Sequence, residues 1–177
     1  MSVTPSEERA PPGALPETVV ERTCRALCEL ALIVMVLLTS AEVVIRVFSF
    51  SFEFVDEVGG YLLSALTFLS LPVALIGGAY HQVEYFHGRL DRRGRAIADL
   101  VFAFLSLLFA VILEWQLWRL VTRSFASHVI APTLLATPLW IPQSAMLLGT
   151  AALIFSLGRV IAARLRLLRT PESGPLQ

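Results

Sequence analysis

The chain contains no lysine: all fourteen of its cationic side chains are arginine. That absence removes a P-loop lysine for nucleotide phosphates, a Schiff-base lysine and a Ser–Lys dyad. Only two cysteines occur, Cys24 and Cys28. They stand four apart instead of in the Cys-x-x-Cys spacing of a redox pair, and at i,i+4 they read as packing thiols on one helix face. Three histidines, His81, His87 and His128, all fall at or beyond the ends of long apolar runs. A haem held between facing helices needs its ligands inside them, and no cluster of His, Cys and carboxylate has zinc-ligand spacing. No nucleophile with a paired base can be assembled either. No catalytic residue, cofactor or metal is therefore expected. Charged residues make up only 16% of the chain and sum to zero net charge, which points away from nucleic acid.

What is abundant is apolar: 56% of the 177 residues are hydrophobic, more than a soluble domain of this size requires. A helix needs about 20 apolar residues to cross a bilayer, and four stretches qualify, at about 27–47, 58–80, 97–120 and 138–161. The second carries no charge at all. Four spans place both termini on one side. Arg9, Arg22 and Arg25 precede the first span, Arg89, Arg92, Arg93 and Arg95 separate the second from the third, and Arg159, Arg164, Arg166 and Arg169 close the fourth. Only Arg46, Arg119 and Arg123 fall on the other face, beside Glu53, Asp56 and Glu57. Eleven arginines against three make the termini and the middle loop cytoplasmic. Trp115, Trp118 and Trp140 then sit near the outer ends of spans, and Phe48, Phe50, Phe52 and Phe54 occupy the first outer turn, as amphipathic rings at headgroup level do.

The fold class is accordingly an all-α integral membrane protein with four transmembrane helices. Residues 1–20, proline-rich and polar and without a secretory signal pattern, read as a disordered cytoplasmic leader. Residues 21–166 form the membrane domain, and 167–177 a disordered cytoplasmic tail. Between spans two and three, Val83, Phe86 and Leu90 recur at helical spacing beside arginines. This predicts a helix lying flat at the interface, with an ordinary basic loop over 81–95 as the alternative.

Charges inside spans cost about 2.5–3.5 kcal/mol each at mid-bilayer. Glu42, in the outer half of span one, has Arg46 one turn further on, and the two can neutralise each other at i,i+4. Alternatively Glu42 faces another helix or subunit, or carries a proton. Glu114, near Trp118 and Arg119, is expected close enough to the surface to be solvated. Ser70, Ala74 and Gly78 form a small-residue ridge on span two, as Ala145 and Gly149 do on span four; such ridges allow close helix approach in lipid. Pro72 removes a backbone hydrogen bond within span two. With so few polar groups and no internal repeat, four helices make a poor conduit, and the chain reads as an accessory to something larger.

Several landmarks carry a more specific resemblance, over roughly residues 20–165. Asp56-Glu57 opens span two, followed by Gly60-Tyr61-Leu62 and Thr67-Phe68-Leu69. His81 and Val83-Glu84 follow its end, and Thr137-Pro138-Leu139-Trp140-Ile141-Pro142-Gln143 leads into span four ahead of Gly149. This order resembles the small membrane (Q-type) subunit of tripartite ATP-independent periplasmic (TRAP) transporters, with Phe54 and Ser70 standing where the family more often has tryptophan and glycine. The resemblance implies a bacterial inner-membrane scaffold with two partners. One is a large multi-span subunit carrying the substrate and sodium sites; the other is a periplasmic solute-binding protein delivering an organic acid or similar solute. Glu42, Arg46, Asp56, Glu57, Ser70, Ala74, Gly78, Trp140 and Pro142 become candidate subunit or outer-face contacts; shaping helix starts is the structural alternative for the acidic pair and prolines. Two other functions stay open: a self-sufficient homodimeric transporter using Glu42, and a membrane redox protein.

Overall fold

A Thr-x-x-Glu sequence starts the first helix. The Thr18 backbone N–H donates to Glu21 Oε2 at 2.7 Å, satisfying one of the donors that a helix start leaves open. The Arg22 N–H then bonds the Thr18 carbonyl at 3.0 Å. From there α1 runs Val19–Val47. The computed structural model describes residues 16–48, 53–77, 92–133 and 135–169, and within them three more helices follow: α2, Glu53–Ile76; α3, Arg92–Ala126; and α4, Trp140–Arg169. All four are long and apolar enough to cross a membrane. The proposed flat helix over 81–95 lies largely outside the described residues; Arg92–Arg95, its end, belong to the first turn of α3.

The helices outrun the apolar stretches that announce them. α1 begins at Val19, where a leader was expected, and α4 continues to Arg169, into the expected tail. α2 opens at Glu53 and ends one residue before Gly77, whose N–H bonds the Val73 carbonyl at 2.9 Å. Pro72 is buried inside α2, which passes through it. Hydropathy marks only the part that lipid must cover. Backbone hydrogen bonding continues the helix into polar sequence for as long as nothing interrupts it.

The helices stand in a row, α1–α2–α4–α3: α2 packs on α1 and α4, and α3 packs chiefly on α4. Two small cores hold the row. Cys24, Leu69 and Ala152 join α1, α2 and α4, with Cys28, Ala65 and Val73 against them. Leu75, Ala110 and Leu157 join α2, α3 and α4. Both cysteines are free thiols, and Cys28 Sγ lies 3.9 Å from the Leu66 carbonyl, a packing contact between α1 and α2. On α1 the covered positions are Glu21, Cys24, Cys28, Ala31, Met35, Leu38, Glu42 and Ile45, a narrow seam of seven-residue period such as two closely aligned helices share. The rest of α1, including Leu30, Ile33, Leu37 and Val44, is exposed, as are Phe102, Phe104, Phe109 and Trp115 on α3.

Candidate functional site

A carboxylate closes each end of the α1 seam. At the first end Glu21, 1% exposed, receives Arg159 Nη1 at 2.7 and 2.8 Å on its two oxygens and the Ser156 hydroxyl at 2.8 Å. The same guanidinium donates to Thr18 Oγ1 at 2.5 Å and to the Pro16 carbonyl at 2.9 Å. This network ties the start of α1 to α4. Both Glu21 oxygens are engaged, which is what a buried ion pair requires to persist. A second pair, Arg25 with Glu17, lies on the exposed side. Composition alone passes over Glu21 because it abuts a polar leader; the Thr18-x-x-Glu21 pattern and the run of arginines late in span four were the available signals.

At the other end Glu42, 7% exposed, accepts from Arg46 Nη2 at 2.8 Å. Glu42 thus makes the i,i+4 pair while also lying on the covered seam of α1. Arg46 stays two-thirds exposed, its side chain 67% accessible against 9% for that of Glu42. Beside them Asp56, from the first turns of α2, completes a groove of about 380 Å³ lined also by Thr39, Val43 and Val47.

Asp56 and Glu57 are adjacent in sequence but serve different neighbours. Glu57 accepts from the Tyr61 hydroxyl at 2.7 Å, one turn along α2, and Thr133, Thr137 and the Leu135 backbone face the same carboxylate. Those residues belong to the α3–α4 connection, which is closed on itself. Ile130 and Pro138 form an antiparallel bridge, the Ala131 N–H bonds the Thr137 carbonyl at 3.0 Å, and the Leu139 N–H bonds the Val129 carbonyl at 3.1 Å. His128 and Ala136 turn the chain with φ of 45° and 46°, backbone angles that non-glycine residues adopt rarely. Through Glu57, the Asp56-Glu57 landmark thus meets the start of the Thr137–Gln143 run at one end of the molecule.

The remaining candidates divide. Trp140 stacks edge-on against Phe125, centroids 5.8 Å apart at 83°, clasping the ends of α3 and α4, and Pro142 is half-buried in the first turn of α4. Ser70 is half-buried with its hydroxyl bonded to the Thr67 carbonyl at 2.9 Å. Ala74 is exposed, and Gly78 lies outside the described residues. Instead of that ridge, α2 packs through Leu69, Pro72, Leu75 and Ile76. The close approach comes from the other ridge: Gly149 on α4 lies directly over the backbone of Phe68 and Leu69. Glu114 is a correction. It is half-buried, not surface-solvated, and its Oε2 is buried without a hydrogen-bond partner among the described residues. α3 continues to Ala126, about three turns further, and so carries Glu114 well away from the helix end.

Four long apolar helices, internal pairing of the buried charges of α1 and wide exposed apolar faces define a multi-pass helical membrane protein. Residues 35–169 match the family of tripartite ATP-independent periplasmic transporters, DctQ component, and the chain belongs to that family. It is thus a component of a transporter. No curated protein and no solved structure matches it.

Proposed function

We propose that the chain is the small transmembrane subunit of a sodium-coupled TRAP transporter of the bacterial inner membrane, scaffolding a large membrane subunit during uptake of an organic acid or similar solute. Membership of a transporter-component family supports the class. The observation that carries the scaffold role is the open row of helices: the buried charges of α1 are paired within the chain, and the broad apolar faces of α1 and α3 are left for lipid and a larger partner. On this reading the termini are cytoplasmic, residues 21–166 form the membrane domain, and the end bearing Asp56, Glu57 and the α3–α4 connection is periplasmic. There it presents polar surface to a solute-binding protein. The arginine distribution supports that orientation.

A self-sufficient transporter built on Glu42 is disfavoured by the 2.8 Å contact with Arg46, which engages the carboxylate it would need for coupling. The deciding experiment is to tag the chain, solubilise the membrane gently and identify what accompanies it. A much larger multi-span protein in about equal amount is expected; recovery of this chain alone, or solute uptake by this chain alone in vesicles, would overturn the proposal. Retained uptake by the assembled complex carrying Glu42→Gln would separately exclude the coupling role.

A further inference from the structure

We infer that the groove between the end of α1 and the start of α2 is a binding site for a zwitterionic aminophospholipid of the phosphatidylethanolamine type. The groove lies at the ends of two membrane-length helices, where headgroups lie. It presents two exposed groups of opposite charge: the Arg46 guanidinium from α1 and the Asp56 carboxylate from α2. Below them Val43 and Thr39 continue the wall along α1 in the direction an acyl chain would run.

The charges select the headgroup. Glu42 occupies one donor edge of Arg46 at 2.8 Å, but a guanidinium has five N–H donors, and a phosphate is a favoured partner for those that remain. Among the described residues, the groove brings together one guanidinium and two carboxyl side chains, Arg46 with Glu42 and Asp56. It therefore favours a lipid that brings a positive group with its phosphate over one of net negative charge. A primary ammonium donates hydrogen bonds to Asp56. A trimethylated ammonium has none to give, and a glycerol headgroup lacks the charge. The roughly 380 Å³ of the groove has room for a headgroup and the first part of a chain, so the remainder of the lipid lies along the exposed face of α1.

The test is native mass spectrometry of the full chain released from detergent, titrated separately with dioleoyl phosphatidylethanolamine, phosphatidylcholine and phosphatidylglycerol. Phosphatidylethanolamine is expected to bind about tenfold more tightly than either, the scale of one charge-assisted hydrogen bond. Asp56→Asn should remove that preference over phosphatidylcholine, and Arg46→Gln should weaken all three. Because Arg46→Gln strips Glu42 of its partner, the doubly neutral Glu42→Gln/Arg46→Gln chain is measured beside it, with the same weakening expected. Equal binding of the three lipids, or a preference untouched by Asp56→Asn, would overturn the inference. So would a photo-crosslinker at Val43 that captures polypeptide instead of lipid in native membranes.

Discussion

A β-carbon placed on Gly149 would lie 2.6 Å from the carbonyl carbon and oxygen of Phe68, so α4 and α2 meet backbone to backbone at that point. Neither atom can be moved by rotating a side chain. Gly149→Ala should therefore push the central helix pair apart and cost about 1–3 kcal/mol, seen as a lower melting temperature in detergent. Gly158→Ala on the same helix has open space around it and should leave the melting temperature unchanged or slightly raised. Equal effects of the two would contradict the close approach.

Removing Arg159 leaves Glu21 buried and charged without a counter-ion. Arg159→Gln should cost about 3–5 kcal/mol, whereas Arg25→Gln, at the exposed pair with Glu17, should cost about 0–1 kcal/mol. The double variant Glu21→Gln/Arg159→Gln should recover much of the loss, because the charge is gone along with its partner. Thermal unfolding of all three in one detergent ranks them.

Glu57 on α2 faces Thr133, Thr137 and the Leu135 backbone of the α3–α4 connection. Glu57→Ala should accelerate amide hydrogen exchange at Ala131 and Leu139, the donors that hold the connection closed, while leaving the middle of α3 unaffected. Tyr61→Phe removes one hydrogen bond to Glu57 and should cost about 0.5–1.5 kcal/mol with a smaller change in exchange. Unchanged exchange in both variants would mean that the connection is held by its own bridge alone.

Orientation is measurable by thiol labelling of intact cells. In a chain carrying Cys24→Ala and Cys28→Ala, a membrane-impermeant reagent should label Ser127→Cys from outside. Ser6→Cys and Ser173→Cys should react only after the cells are opened. The reverse pattern would refute the arginine-based assignment.

The apolar runs made the four helices legible because lipid demands about 20 predominantly apolar residues in succession; they said nothing of where hydrogen bonding stops, so α1 and α4 extend past the runs. The Glu42–Arg46 pair was readable because both partners lie on one helix at a fixed spacing. Glu21 with Arg159 was not, since their meeting depends on which helices become neighbours. The same limit explains the two small-residue ridges. A repeat of four shows that a helix has a flat face, but Gly149 uses its face within the chain while Ala74 leaves its own uncovered. The meeting of Glu57 with the Thr133–Thr137 turn was likewise a matter of tertiary arrangement, visible in sequence only as two separate landmarks.

Glu21 leaves the ribosome 138 residues ahead of Arg159. Throughout that interval the nascent protein holds a carboxylate whose only strong cationic ally among the described residues has yet to be made. Closure of the fold is therefore deferred until the last helix arrives. A chain interrupted before that helix would keep Glu21 bonded to Thr18 alone, so the start of α1 would have nothing to tie it to the far side of the row.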